Sequence, residues 1–313
     1  MDRSLSVAIS ILTFNRAPLL RELLSSLQGA TMRDVELIVV DNHSGDETSK
    51  MMSEEFPGVT YLRTSANIGV AARNMGIRKS QADIVVTLDD DISGITSDDI
   101  AYLVEEFENH HGLGAMNFRV IDHSTGSLSN WVHHRNQDEW AGRRFTTYEI
   151  TEGAVAFRRT VFEKSGYYPE HFFLSHEGPD LAFRIMEAGY DVVYCPVVTV
   201  LHRHSRLGRQ AWFNYYYDTR NLVWLAARNF PISYSARYLA RGTLSMLVYS
   251  LRDGYLRYWI KAMVDGLSGL RSEANRRSVL SKDTMTKIRD IDRTNPPLAA
   301  QIRSRLFRRS TRL

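Results

Sequence analysis

The chain has 313 residues, of which 43% are hydrophobic and 24% charged, a balance typical of a globular protein rather than a disordered one. Its single cysteine, Cys195, excludes an internal disulfide, and we expect a reducing, cytoplasmic setting. The first residues show no basic segment followed by a long apolar one, and no run of eighteen apolar residues occurs. We therefore expect neither a signal peptide nor a membrane-spanning helix.

The charge is unevenly distributed although the net charge is only +3. Residues 271–313 contain twelve Lys and Arg against four Asp and Glu, a net charge of +8, which leaves −5 for the rest of the chain. A basic end on an acidic body predicts a negatively charged partner, either a membrane surface or nucleic acid. The alternative is a basic end that is simply solvated.

Strand and helix patterns alternate through the first half. Apolar strand patterns cover residues 6–13, 35–40, 59–62 and 84–88, and segments with helical periodicity separate them. Four such repeats predict an α/β fold with a doubly wound, mostly parallel sheet. Ligands of such sheets bind at the carboxyl ends of the strands.

A polar loop follows each of these four strands. The loops contain Thr13-Phe14-Asn15-Arg16, Asp41-Asn42-His43-Ser44, Asn67-Ile68-Gly69 and Asp89-Asp90-Asp91. Turns also prefer Asn, Asp and Gly, but four polar loops at one sheet edge favour a ligand site. Three adjacent carboxylates repel one another, so a bound divalent cation would keep them ionised; solvation of a turn is the alternative. Neither a dinucleotide fingerprint nor a P-loop is present, so a nucleotide would be held by side chains and a metal.

The second half is less regular. A helix (97–109), a strand (113–121) and a polar, aromatic loop with Trp131, His133, His134 and Trp140 (122–148) come first, and such a long loop is typical of a lid. The pattern then predicts a strand containing Glu152 (150–158), a helix preceded by acids (181–188) and two short strands (190–194 and 197–201).

Helical patterns follow over 210–228, 233–252 and 255–270. The last two mix Arg and Lys with apolar and aromatic residues, which predicts packing on the body, contact with a membrane, or both. We expect a catalytic domain over residues 1–230 and a basic helical extension over 231–313, a possible membrane-surface contact.

An ordered set of motifs resembles the family-two inverting glycosyltransferases of the GT-A fold, especially the rhamnosyltransferase-like branch. The motifs are ISILTFNR (9–16), VVDNHS (39–44), NIGVAARN (67–74), LDDD (88–91), HEGPDL (176–181), GY (189–190), His202 and YYYDTRN (215–221). Each motif is weak by itself, but the order and spacing over residues 5–230 are specific.

The resemblance implies a hexosyltransferase that moves a sugar from a UDP- or dTDP-sugar to an acceptor hydroxyl in the synthesis of cell-surface polysaccharide or glycoconjugate. The acceptor would be a glycan, a lipid-linked glycan or a small molecule, the enzyme would be cytoplasmic or peripheral on the inner face of the membrane, and no nucleic acid would take part. The implied donor-binding residues are Thr13, Asn15, Arg16, Asp41, Asn67, Arg73, Asp89 and Asp90. The implied ligands of Mg²⁺ or Mn²⁺, which would stabilise the departing diphosphate, are Asp91 and His202.

Inversion also requires a general base that takes the proton of the acceptor hydroxyl. The family's pattern Glu-Asp-x-Asp-Leu usually supplies it from the second acid, but this chain has Gly178 at that place. Glu177 and Asp180 are the candidates that remain in the motif, and Glu152 is a candidate from another loop.

Two other functions stay open. A sugar-1-phosphate nucleotidyltransferase would also combine such a sheet with acids and a metal, but no Gly-rich basic loop follows the first strand to hold a triphosphate. A non-catalytic nucleotide-sugar-binding module would explain the altered acidic motif. The product distinguishes the three: nucleoside diphosphate, pyrophosphate, or none.

Overall fold

A computed structural model describes residues 4–29, 35–133, 135–203 and 210–294. The β-strands in these ranges are Val7–Thr13 (β1), Val35–Asp41 (β2), Thr60–Arg63 (β3), Ile84–Asp89 (β4), Ile92–Ser93 (β5), Leu113–Asp122 (β6), Phe145–Thr146 (β7), Ala154–Arg158 (β8) and Asp191–His202 (β9). The α-helices are Ala17–Gly29 (α1), Thr48–Glu55 (α2), Arg73–Lys79 (α3), Ser97–Asn109 (α4), Gln137–Trp140 (α5), Val161–Ser165 (α6), Glu177–Glu187 (α7), Trp212–Asn229 (α8), Ile232–Arg252 (α9), Leu256–Ser268 (α10), Leu270–Ala274 (α11) and Lys282–Arg293 (α12).

The strands form one sheet in the order β3-β2-β1-β4-β8-β6-β9-β5, with β7 paired to β9. The first four strands are parallel, so the α/β fold class and the predicted parallel half are confirmed. Beyond β4 the sheet is mixed, because β8 runs antiparallel between β4 and β6. The apolar pattern of β8 predicted a strand but carried no information on its direction. Its reversal places the residues just before β8 at the carboxyl end of β4.

Most predicted elements are present, with shifted ends. The N-cap of α2 is Glu47, and the carboxylate of Asp46, one residue earlier, accepts hydrogen bonds from the backbone N–H and the hydroxyl of Thr48. The predicted strands 190–194 and 197–201 are one strand, β9, with an irregularity opposite Phe118 and Arg119. Helix α7 begins at Glu177, four residues earlier than predicted, so the acids lie in its first turn. The short strands β5 and β7 lie in segments predicted as loops, and His134 lies outside the described residues.

Two apolar cores cover the faces of the sheet, and the C-terminal helices contribute to the second. Leu280, Met285 and Ile288 are buried in the core that also contains residues of α7 and α8. At the end of α12 the hydroxyls of Tyr148 and Tyr234 both donate to Asp292, at 2.7 and 2.5 Å.

The described part of the predicted basic extension is thus helical and packed on the body, rather than merely solvated. Residues 295–313 lie outside the described ranges, and the predicted boundary at residue 230 stays a prediction. In the part of the chain that the structure describes, no helix is long and apolar enough to cross a bilayer.

Replacing Ile288 by Ala should destabilise the protein by about 2–4 kcal/mol, because the side chain is fully buried and its loss leaves a cavity. Urea unfolding followed by circular dichroism measures the change. Arg289→Ala, on the exposed side of the same helix, is the matched control and should change stability by less than about 0.5 kcal/mol. Equal stability of the two variants would show that α12 is not part of the folded core.

Candidate functional site

The ends of β1, β2 and β4 converge at one edge of the sheet. Thr13 pairs in register with Asp41, and Leu12 with Asp89. The polar loops that follow these strands are therefore neighbours, as the sequence predicted.

The acidic loop after β4 is neutralised by residues of the loop after β1. The Thr13 hydroxyl donates to Asp90 at 2.7 Å, and Arg16 Nη1 donates to Asp90 Oδ1 at 3.1 Å and Asp91 Oδ2 at 2.7 Å. Burial, opposed by Arg16 and reinforced by the charge of Asp91, raises the pKa of Asp90 to about 7. Carboxylates this close together repel one another, and a bound cation offsets that repulsion.

Asp91 and His202 are brought together as predicted. The Nε2 atom of His202 lies 3.4 Å from Asp91 Oδ1, because the short strand β5 pairs with the end of β9. Within the described ranges, no three His, Cys, Asp or Glu side chains are grouped to hold a metal by themselves. Mg²⁺ commonly takes only one or two protein ligands and completes its shell with phosphate oxygens and water. A carboxylate beside an imidazole therefore fits a cation that arrives with a diphosphate.

The other predicted donor-binding residues also build the loops. The buried Asp41 accepts hydrogen bonds from the Ser44 N–H at 2.7 Å and from the Tyr61 hydroxyl at 2.5 Å. Asn67 accepts a hydrogen bond from Asn42, and Asn15, in a left-handed conformation, accepts one from the Gly45 N–H. Both Asn67 and Asn15 are exposed and can also reach a ligand.

Arg73 lies fully inside this edge. It forms an ion pair with Asp89 and donates to the Leu88 carbonyl at 3.2 Å. The Arg73 guanidinium therefore holds the end of β4 in place from the protein interior. The Asp89 side chain keeps 38% of its surface exposed. Asp89 is consequently the most accessible member of the acidic motif.

The two acids of α7 have different surroundings. Asp180 is fully buried and contacts Arg184 at 2.8 Å, Asn229 at 2.9 Å and Arg228 at 3.4 Å. Burial alone would raise the pKa of Asp180, but the two arginines hold it below its usual value. These contacts join α7 to α8. Glu177, also buried, belongs instead to the electrostatic surroundings of Glu152.

The loop that leads into α7 is held by the YYYDTRN motif. Phe173, Ser175 and His176 have φ near +70°, which is unfavourable for residues other than glycine. The amide of Asn221 donates to the carbonyls of residues 172, 174 and 175, and the Phe173 carbonyl accepts from the N–H of Val70. The motif had no assigned role at the level of sequence, and the structure shows that it positions the start of α7 against the third polar loop.

Glu152 and Gly153 lie between two acidic clusters: the acids after β4 (89–91) and the acids of α7 (Glu177 and Asp180). The Gly153 carbonyl accepts from the Asp89 N–H at 3.2 Å, and a Cβ at Gly153 would lie 2.6 Å from Asp89 Cγ. On the other side, the Glu152 carboxylate contacts the position where a side chain at Gly178 would begin. Burial and then the charge of Glu177 raise the pKa of Glu152. The acidic motif after β4 and the start of α7 therefore lie on the same side of the molecule, next to Gly153 and Glu152.

Comparisons with known proteins agree on one family. The sequence model of the family described as "Glycosyl transferase family 2" matches residues 8–166, half of the chain. The O-antigen chain rhamnosyltransferase RfbN of Salmonella typhimurium is 28% identical over 230 residues, which are 69% of this chain and 71% of RfbN.

Solved structures show the same fold. GalNAc-T7 with UDP, GalNAc and Mn²⁺ superposes with a TM-score of 0.67 at 17% identity over 95% of this chain, which spans 59% of that longer protein. The mannosyltransferase PcManGT of Pyrobaculum calidifontis in complex with GDP-Man and Mn²⁺ gives a TM-score of 0.56 at 20% identity, over 88% of this chain and 84% of PcManGT. These similarities confirm the predicted GT-A fold.

Asp180→Asn should destabilise the protein by about 3–5 kcal/mol at neutral pH, because it leaves two partly buried arginines without their fully buried carboxylate. The folded-state pKa of Asp180 is lowered, so its contribution is present above the unfolded pKa of about 3.9 and is lost as the pH falls through the folded value. Urea unfolding at pH 7 measures the loss, and the difference between wild type and variant should narrow only below about pH 3.9, as Asp180 becomes protonated. Glu163→Gln, in an exposed pair with Arg159, is the control; a similar small loss for both would contradict this account.

Proposed function

The chain belongs to glycosyl transferase family 2, and from this premise we propose that it transfers a sugar from a nucleoside-diphosphate sugar to an acceptor hydroxyl, with inversion at the anomeric carbon. The observation that carries the proposal is the contact of Glu152 and Gly153 with both acidic clusters. The motif that we propose to bind the metal and the acid that we propose to accept the proton would then both be within reach of one sugar. Neither a nucleotidyltransferase nor a binding module requires this arrangement.

The donor would lie over the ends of β1, β2 and β4. Exposed Asn15 and Asn67 are available to its base and ribose, and Asp41 and Thr13 fix the loops beneath. Arg16 lies where it can exchange its carboxylate partners for phosphate oxygens, and Arg73 keeps Asp89 in place. Each of these residues therefore contributes to positioning the donor before the reaction.

Asp91 and His202 would hold Mg²⁺ or Mn²⁺. When bound, the cation supplies positive charge that stabilises the diphosphate as the bond to the sugar breaks. Two solved structures of the same fold, GalNAc-T7 and PcManGT, contain Mn²⁺, which supports this proposal. The separation of 3.4 Å between the side chains of Asp91 and His202 also supports it. The buried carboxylates around them explain why a cation is needed: a diphosphate alone would meet repulsion from Asp89, Asp90 and Asp91.

The relationship to RfbN supports rhamnose as the sugar, carried by dTDP or UDP, and a polysaccharide or its lipid-linked precursor as the acceptor. The hydroxyl of such an acceptor has a high pKa and becomes a good nucleophile only when a base removes its proton as it attacks. The reaction therefore needs an acid side chain that the acceptor can reach.

Asp91→Asn should abolish stabilisation by Mn²⁺ together with a nucleotide. We expect wild type to gain several degrees in melting temperature with UDP, dTDP or their sugars only when Mn²⁺ is present, since binding at 100 times Kd stabilises by about 2.7 kcal/mol. A thermal-shift panel measures it. Asp98→Asn, an exposed acid outside the site, is the control and should respond as wild type does.

The same panel tests the proposed function. Stabilisation by nucleotides without any dependence on the cation would contradict the metal site. Release of pyrophosphate from a nucleoside triphosphate and a sugar phosphate would favour the nucleotidyltransferase, and binding without turnover would favour the binding module.

We also propose that helices α9 and α10 contact an anionic membrane surface that carries the acceptor. Both pack on α8 with one face and expose the other. On α10 the exposed face carries Ile260, Val264 and Leu267, which are 51–60% exposed, flanked by Arg257 and Lys261. Apolar side chains between basic ones are typical of helices that lie in the headgroup region.

Flotation with liposomes tests this contact. Wild type should float with vesicles that contain phosphatidylglycerol and much less with pure phosphatidylcholine, because each basic residue near an anionic surface contributes about 1 kcal/mol. The double variant Arg257→Glu/Lys261→Glu should remain unbound, whereas Lys50→Glu/Lys79→Glu, on the catalytic body, should float as wild type does. Equal recovery of both double variants would refute the contact. Truncation at residue 270 is unsuitable, since it removes core residues of α12.

A further inference from the structure

Gly178 has no room for a side chain. A Cβ at this position would overlap Oε1 of Glu152 and would lie 2.9 Å from the backbone carbonyl oxygen of Ile150. The resemblance described above places an acid at this position, the one that most often acts as the base. In this chain the carboxylate of Glu152 occupies the adjoining volume instead. The carboxylate of Glu152 therefore lies next to the position at which the acid of α7 is missing.

The three candidate acids differ in access. Asp180 is fully buried among Arg184, Arg228 and Asn229, and an acceptor hydroxyl cannot approach it. Glu177 has 3% of its surface exposed. Glu152 is only partly buried, which makes it the most accessible of these three acids. A general base must come within hydrogen-bond distance of the proton that it removes.

The backbone around Glu152 is fixed in place. Its carbonyl accepts a hydrogen bond from the Thr87 hydroxyl at 2.7 Å, and the N–H of Thr151 donates to Asn117 Oδ1 at 2.7 Å. The next residue, Gly153, lies against Asp89. Glu152 is thus held beside the exposed end of the acidic motif, where the sugar of a metal-bound donor would lie.

We propose that Glu152 is the general base of the transfer and takes the role that the residue at 178 has in the related enzymes. The assignment rests on the proposed function. As the acceptor oxygen forms its bond to the anomeric carbon, its O–H bond breaks and the proton passes to the Glu152 carboxylate. The bond between the anomeric carbon and the diphosphate oxygen breaks on the opposite face, and its electron pair leaves with the nucleoside diphosphate. The charge of the neighbouring Glu177 raises the pKa of Glu152 and so strengthens the affinity of its carboxylate for the proton that it takes.

Glu152→Gln removes the proton acceptor and keeps the shape of the side chain. The probes are UDP- and dTDP-sugars, including dTDP-rhamnose, with Mn²⁺ and a lipid-linked glycan as the acceptor, and the readouts are nucleoside diphosphate released per enzyme and the Kd of the nucleoside diphosphate. We expect kcat to fall by about 10²–10⁴-fold, with Kd within about twofold of wild type. Glu170→Gln, an acid that is 65% exposed, is the control and should keep wild-type values of both.

The variant Glu152→Asp distinguishes a role of Glu152 as a base from a role in packing. It retains a carboxylate at a shorter reach, so its kcat should lie above that of Glu152→Gln. Turnover by Glu152→Gln within threefold of wild type would overturn the assignment, and so would an equal loss of turnover and nucleotide binding. Wild type that consumes none of the nucleotide-sugars would overturn the proposed function and the base together, whereas an active wild type with an active Gln variant overturns the base alone.

Discussion

Mutual repulsion of carboxylates at the end of β4 is the constraint around which the site is organised. Asp90 and Asp91 are buried and Asp89 lies beside them, so the positive charge needed to keep them ionised must come from neighbouring segments. Arg16, from the loop after β1, and Arg73, at the start of α3, provide it. The two arginines tie separate βα units to one strand end. A cation bound with a diphosphate would interact with the same carboxylates as the two arginines. Binding of the substrate and stability of this strand end would therefore depend on the same charges.

The antiparallel course of β8 has the largest effect on the chemistry. A parallel strand at this place would have brought the end of the segment, around Arg158, to the carboxyl edge of β4. The reversed strand brings its beginning there instead, so that Leu88 pairs with Ala154 and Glu152 lies just beyond the pair. One change of direction thus adds an acid to the site, and the same acid leaves no space for a side chain on the first turn of α7.

Sequence patterns predicted the parts of the fold that depend on periodicity. The parallel strands, their polar loops and the pair Asp91–His202 followed from apolar runs, from the rule that ligands bind at strand ends, and from family motifs. The direction of β8, the two-residue strands and the early start of α7 did not, because they depend on contacts between distant segments. The separation of Glu177 from Asp180 also needed coordinates: the two acids are three residues apart on one helix, yet Arg184 and Arg228 are close to only one of them. The absence of an acid at position 178 was the indication in the sequence that another acid, such as Glu152, could act as the base.

The hydrogen bonds of Tyr148 and Tyr234 to Asp292 have a consequence for biosynthesis. Tyr148 lies four residues before Glu152, and its partner on α12 is 144 positions further along the chain. On the ribosome, the segment that presents Glu152 must wait for almost the entire polypeptide to emerge before this support exists. Polypeptides interrupted before α12 would expose the apolar surface that Met285 and Ile288 cover, and exposed surface of this kind favours aggregation.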